Sequence, residues 1–162
     1  MHESKKQISA ALSPLLKEHG YKKRALTWHR LCPDAVLTFH VEKNRWGADQ
    51  YSCHMGIYIR QMGIETSPPH FRCQIRTQLD RIVTDVETID EALNFEGISL
   101  EQSVRISRIV EAVNTHALPW LEQHSTLTAL VNLTRCDYDK LLPRILIYRA
   151  AYDHLRQIAE IH

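Results

Sequence analysis

Apolar residues near the start of the chain recur at helical spacing. Between positions 4 and 19 they form one stripe, made of Ile8, Ala11, Leu12, Leu15 and Leu16. Gly20 supplies a stop signal after this stripe. Pro14 interrupts it, so the predicted helix either kinks at the proline or restarts there with Ser13 as its N-cap.

After position 24 the apolar period changes from helical to two, which is typical of strands. The alternation predicts four strands, at about 26–30, 37–42, 51–60 and 71–76, with a tight turn at Pro33-Asp34. Pairing Val41 with Cys53 sets Phe39 opposite Met55, and we also expect Trp28 opposite Leu37. The four strands then form an antiparallel meander with its apolar partners on one face.

The other face of this meander is predicted to be polar and open to water. It carries Thr27, His29, Thr38, His40, Glu42, Ser52, His54, Tyr58 and Arg60, with Arg72, Gln74 and Arg76 from the fourth strand.

Helices are predicted at about 99–124, 126–133 and 137–161, and they would pack on the apolar face. The fold class is therefore α+β: an N-terminal helix, a four-stranded antiparallel meander and a helical C-terminal half packed on one sheet face. We expect one domain over 1–162, with helix and sheet in 1–80 and helices in 81–162.

Composition narrows the function classes. Twenty basic and 19 acidic residues give a formal net charge of +1, which argues against a nucleic-acid binder. The chain has no run of about 18 apolar residues and no apolar leader, so we expect neither membrane association nor secretion. The four cysteines, Cys32, Cys53, Cys73 and Cys136, are widely spaced, which favours reduced thiols in the cytoplasm.

Several short segments, in this order, resemble a bacterial family called domain of unknown function 4304. They are GYKK at 20–23, TWHR at 27–30, KNRWG at 43–47, GIY at 56–58, CQIR at 73–76 with Leu79, and LPWL at 118–121. The resemblance spans roughly Ser4 to Leu121. It implies an α+β fold in small cytoplasmic bacterial proteins. The family has no established catalytic residues, so the resemblance assigns none to this chain.

The histidines of the polar face are the candidates for chemistry. The predicted register sets His40 directly opposite His54, with His29 one strand further on. Two or three imidazoles could bind Zn²⁺ or Ni²⁺, or act as acid and base on a phosphodiester. Glu42 and Cys53 are the nearest further ligands, but Cys53 is predicted to point inward. The preferred interpretation is that these are surface histidines, with no catalytic residue, no metal and no cofactor.

The loop at 43–49 combines Arg and Trp, which are enriched at binding hot spots. Trp46 either stands out as an anchor or folds back onto the sheet, whereas Trp28 and Trp120 are predicted to lie in the core. If the chain has an interface, we expect it to combine this loop with the polar strand face. The candidate residues are Arg45, Trp46, Tyr58, Arg72, Arg76, His40 and His54.

Three function classes follow. The first is a non-enzymatic protein-binding domain, most concretely an immunity protein that occludes a cognate toxin; its link to small bacterial domains is an analogy. The second is a module like a double-stranded-RNA-binding domain, which the acidic stretch at 81–102 disfavours. The third is a hydrolase using His40 and His54, although the chain has none of the common catalytic motifs. We predict the first class, with a protein partner and no enzymatic activity; the sequence leaves the oligomeric state open.

Overall fold

A computed structural model describes residues 2–142 and 144–161. Within those residues the chain forms one sheet of six strands in sequence order: β1 Lys22–Arg24, β2 Thr27–Leu31, β3 Ala35–Lys43, β4 Tyr51–Ile59, β5 Ile75–Gln78 and β6 Leu146–Ile147. The same residues form seven α-helices: α1 Glu3–Glu18, α2 Val86–Leu93, α3 Gln102–Ala112, α4 Leu118–Gln123, α5 Leu127–Leu133, α6 Tyr138–Leu141 and α7 Arg149–Ile161. All strand pairs are antiparallel, so the predicted α+β class is confirmed.

The register of the central hairpin is as predicted. Val41 lies opposite Cys53 and Phe39 opposite Met55, which places His40 opposite His54. The first hairpin is shifted by two residues, because Trp28 lies opposite Phe39 rather than Leu37. The reason is the tight turn at 33–34, where the Cys32 N–H donates to the Ala35 carbonyl oxygen at 2.8 Å and so fixes the pairing. A shift of two residues leaves every side chain on its predicted face.

The predicted fourth strand at 71–76 is wrong in its first half. A 3₁₀ turn spans His70–Arg72, and strand β5 begins only at Ile75. The Cys73 N–H closes this turn on the His70 carbonyl oxygen at 3.1 Å, directly after the extended Pro69. The turn folds over the polar face, so part of that face is covered rather than open to water. Beneath it, Val36, Tyr58 and Cys73 form a small buried apolar cluster.

The prediction of one continuous helix over 137–161 is wrong, because this region forms three separate elements. It is divided into α6, the short edge strand β6 and α7, and residue 143 lies outside the described residues. A proline at this position in the sequence is poorly compatible with a continuous helix interior.

At the other end of the chain, α1 runs through Pro14, and the Ser13 hydroxyl donates to the Ser9 carbonyl oxygen instead of capping a new helix.

The apolar sheet face packs against the helices, as predicted. One continuous core joins Phe39 and Met55 of the sheet to Leu12 of α1, Leu121 of α4 and Leu155 of α7. These side chains are completely buried, and burial of this kind is the main source of stability in a domain of this size. No helix within residues 2–142 and 144–161 is long and apolar enough to cross a membrane.

Candidate functional site

The loop between β3 and β4 carries Trp46 out into solvent. Its side chain is 92% exposed, so the alternative in which it folds back onto the sheet is wrong. The turn that carries it is ordered by hydrogen bonds. The Asn44 side-chain oxygen accepts from the Trp46 N–H at 2.8 Å, and the Asn44 N–H donates to the Gln50 carbonyl oxygen at 2.8 Å. Gly47 has a φ of +89°, a left-handed conformation that glycine adopts without strain.

Three histidine rings meet on the polar face of the sheet, beside this loop. His70, on the 3₁₀ turn, stacks on His40 with ring centroids 4.3 Å apart and planes 10° from parallel. The His70 ring centroid is also 4.9 Å from that of His54. The third histidine of the cluster is therefore His70 and not His29, whose Nε2 shares a 2.7 Å hydrogen bond with the Pro68 carbonyl oxygen.

Sequence reasoning missed His70 because no periodicity relates it to His40 and His54. It reaches them only because the chain turns back over the sheet after β4. The two prolines at 68–69 were the available signal, since they disfavour a strand running through this region.

Glu42 adds a carboxylate to the histidines. Its Oε2 lies 3.2 Å from Nε2 of His54, and Ser52 Oγ lies 2.8 Å from the same nitrogen. Glu42, His54 and His70 each have a potential ligand atom within 4.8 Å of those of the other two. In the described part of the chain, this is the one cluster of three or more His, Cys, Asp or Glu residues with metal-binding geometry. Cys53 does not take part, because it is buried on the apolar face as predicted.

The electrostatics of the cluster keep its imidazoles neutral. Burial, followed by the adjacent His70, lowers the pKa of His40 to about 4. Burial, followed by the adjacent His54, lowers the pKa of His70 to about 4. The pKa of His54 is also lowered by burial, against the opposing influence of the Glu42 carboxylate. Neutral imidazoles have a free lone pair for a metal, whereas a pKa near 4 makes a weak general base at neutral pH.

Glu42, His54 and His70 line a groove of about 520 Å³ between the strand face and the segment around β6. Its other lining residues include four arginines: Arg45, Arg76, Arg81 and Arg144. The Arg76 guanidinium also makes a cation–π contact with Tyr148, 5.3 Å from the centroid of its ring. The groove is thus strongly basic, although the net charge of the whole chain is close to zero.

The remaining predicted interface residues lie apart from the groove. Tyr58 is only 7% exposed, and its hydroxyl fills the space where a side chain at Gly63 would lie. Arg72 is exposed on the 3₁₀ turn and pairs with Glu65. The structure therefore brings Arg45, His54 and Arg76 together along the groove, with His40 stacked on His70. Trp46, Tyr58 and Arg72 do not line it.

Searches of curated proteins and of solved structures returned no match. The model of one protein family, described as domain of unknown function (DUF4304), matches residues 12–123. This segment is more than half of the chain. It contains the second half of α1, strands β1 to β5, helices α2 to α4 and the histidine cluster. The chain therefore belongs to the family of domain of unknown function 4304.

Proposed function

We propose that this chain is a non-enzymatic protein-binding domain, and in its most specific form an immunity protein that occludes a cognate bacterial toxin. The observation that carries the proposal is the exposure of Trp46. A tryptophan buries roughly 150–250 Å² when it is covered, and leaving that surface in water is unfavourable. Such a side chain at the tip of an ordered turn is typical of a binding anchor.

The turn is also organised before any partner arrives. The two hydrogen bonds of Asn44 and the conformation of Gly47 define its backbone. The adjacent Arg45 is 84% exposed and 3.6 Å from Glu42, so its guanidinium is held beside the groove. A preorganised loop loses less conformational entropy on binding, which increases affinity.

The basic groove beside the loop indicates the charge of the partner. Arg45 and Arg76 line it, and an acidic partner surface would be complementary to them. In the resulting complex Trp46 would act as the apolar anchor, while the arginines would select the partner and its orientation. The mechanism is stoichiometric occlusion of the partner's working surface.

The alternative of a hydrolase using His40 and His54 has weaker support. His40 Nδ1 forms a hydrogen bond with Thr27 Oγ1 at 2.8 Å, and the His40 ring is stacked against that of His70. Both the hydrogen bond and the stacking restrict its access to a substrate. A low pKa makes it a poor base at neutral pH as well.

The test compares Trp46→Ala with a matched control, Leu31→Ala. Leu31 is also an exposed apolar residue, but it lies at the opposite end of the β2–β3–β4 hairpins. Nine residues of β3 separate the two ends, roughly 27 Å at 3.2–3.4 Å per residue. A partner is first isolated with the tagged wild-type chain from its own cells. Its affinity for each purified variant is then measured by calorimetry.

We expect Trp46→Ala to weaken binding by about 2 kcal/mol or more, roughly 30-fold, with an unchanged melting temperature. Leu31→Ala should bind as tightly as wild type. Equal affinity of wild type and Trp46→Ala for the isolated partner would refute the proposed surface. The immunity function further predicts that the partner inhibits growth when it is expressed alone, and that co-expression of this chain restores growth. A partner that does not inhibit growth would contradict the immunity function.

A further inference from the structure

We propose that Glu42, His54 and His70 form a binding site for one divalent transition-metal ion of the Zn²⁺ type, open to the basic groove. This site opens into the groove that the proposed function assigns to the partner, but metal binding does not require the partner. Its ligand set is two imidazoles and one carboxylate. Zinc sites with three such protein ligands leave a fourth position for water or another ligand. Hard cations such as Mg²⁺ and Ca²⁺ prefer oxygen ligands throughout, so the two imidazoles favour a transition metal.

The distances are close to those of a formed site. Tetrahedral zinc with bonds of about 2.0–2.1 Å places neighbouring ligand atoms about 3.3–3.4 Å apart. His54 Nε2 and Glu42 Oε2 already lie 3.2 Å apart. All three potential ligand atoms lie within 4.8 Å of one another, so His70 needs to approach the pair by roughly 1.5 Å at most.

The placement of each ligand suits this approach. Glu42 and His54 are on β3 and β4, which are paired along nine residues and hold the pair rigidly. His70 is on a three-residue 3₁₀ turn, which can adjust more easily than a strand. Its ring lies flat against His40, so it can slide within its own plane toward the other ligands while the stacking keeps its orientation. His40 is thus a positioning residue, because its ring supports the His70 ring.

The charged groups around the site determine which fourth ligand the metal ion would bind. The Glu42 carboxylate offsets part of the cation's charge. Arg45 and Arg76 line the groove into which the site opens, and they disfavour a bare cation but favour an anionic ligand upon it. The fourth ligand is therefore expected to be an anion, such as hydroxide or chloride.

The experiment titrates Zn²⁺ into chelator-treated, tag-free full-length protein by calorimetry, with metal analysis after gel filtration. Wild type is compared with His70→Ala and Glu42→Gln. The control is His154→Ala, because His154 is on α7 and contacts Gln61 instead of the cluster. We expect one equivalent of zinc on wild type and on the control, and loss of stoichiometric binding in the other two variants. At a free metal concentration about a hundred times Kd, the melting temperature of wild type should rise by roughly 5–10 °C.

A second measurement uses wild type alone, so that it does not depend on the folding of variants. Imidazole nitrogen resonances are followed by NMR during the same titration. Simultaneous shifts of His54 and His70, with His154 unchanged, support the site. The proposal is overturned if wild type does not bind zinc at micromolar concentrations. It is also overturned if binding survives in His70→Ala, or if the shifting resonances belong to histidines outside the cluster.

Discussion

Arg105 joins two parts of the fold through buried hydrogen bonds. It lies on α3 and is only 2% exposed. Its guanidinium donates to two backbone carbonyl oxygens in the last turn of α2, Glu91 at 2.8 Å and Ala92 at 3.2 Å. It also donates to two in the segment that follows α2, Asn94 and Gly97, the latter at 2.9 Å. This segment has no regular helix of its own after residue 93, so these bonds define its path.

The same segment supports the base of the Trp46 loop. The Phe95 N–H donates to the Asp49 carbonyl oxygen at 2.9 Å, and Gln50 forms an isolated bridge with Asn94. The Arg105 guanidinium lies 5.0 Å from the centroid of the Phe95 ring. Arg105 therefore stabilises the end of the hairpin from which Trp46 projects.

We expect Arg105→Met to destabilise the fold by about 3–5 kcal/mol, because methionine keeps much of the length and apolar stem but donates no hydrogen bond. The Ala92 carbonyl oxygen is in a fully buried bond and would lose its partner, at a cost of about 1–3 kcal/mol. The other three acceptors are partly accessible, so water replaces the guanidinium there and each adds less. The measurement is urea unfolding followed by circular dichroism.

The matched control is Arg108→Met, one turn further along α3. Arg108 is partly exposed and pairs with a Glu91 carboxylate oxygen at 3.3 Å, so its loss should change the free energy of unfolding by less than about 1 kcal/mol. If Arg105→Met unfolds within about 1 kcal/mol of wild type, the burial argument is wrong. Equal effects of the two substitutions would refute it as well, because only Arg105 donates to the buried backbone.

Three further predictions concern pH, packing and thiol reactivity. Burial lowers the pKa of His29 below its ordinary value of 6.5, so the unfolded chain binds the proton more readily and the stability of the fold should decrease as pH falls below about 6.5. Urea midpoints measured against pH should show a smaller decrease for His29→Gln than for wild type, and an unchanged decrease for His154→Gln. Gly56→Ala should cost about 1–3 kcal/mol, because the new methyl group would lie 2.7 Å from Cys73 Sγ; unfolding free energies should show coupling to Cys73→Ala, and additive effects would contradict the contact. A thiol reagent should modify Cys136 rapidly in the native protein and the three buried cysteines only after unfolding; four fast thiols in the native state would be inconsistent with the core.

Local pattern was sufficient for the central hairpin. Alternation along β3 and β4 assigned each side chain to a face, and pairing Val41 with Cys53 then gave the observed register. For this reason His40 and His54 could be paired from the sequence. The short strands β1 and β6, with three and two residues, carry no period that a pattern could detect.

Exposure of the Trp46 side chain could not be inferred in the same way. The sequence indicated a loop with Arg45 and Trp46, but a tryptophan in a small domain is as compatible with the core as with the surface. The choice depends on whether an apolar surface lies within reach of the loop. The Asn44 hydrogen bonds direct this turn away from the sheet.

The sequence by itself determined the α+β class, the apolar sheet face and the polar row that contains Glu42, His40 and His54, because these follow from periodicity over a few residues. Only the tertiary structure placed the His70 ring against His40 and buried the Arg105 side chain against the backbone of residues 91–97. Both contacts join segments that are separated by loops without a period. Their geometry depends on how the loops close over an assembled sheet, and this is decided by packing of the whole chain rather than by local preference.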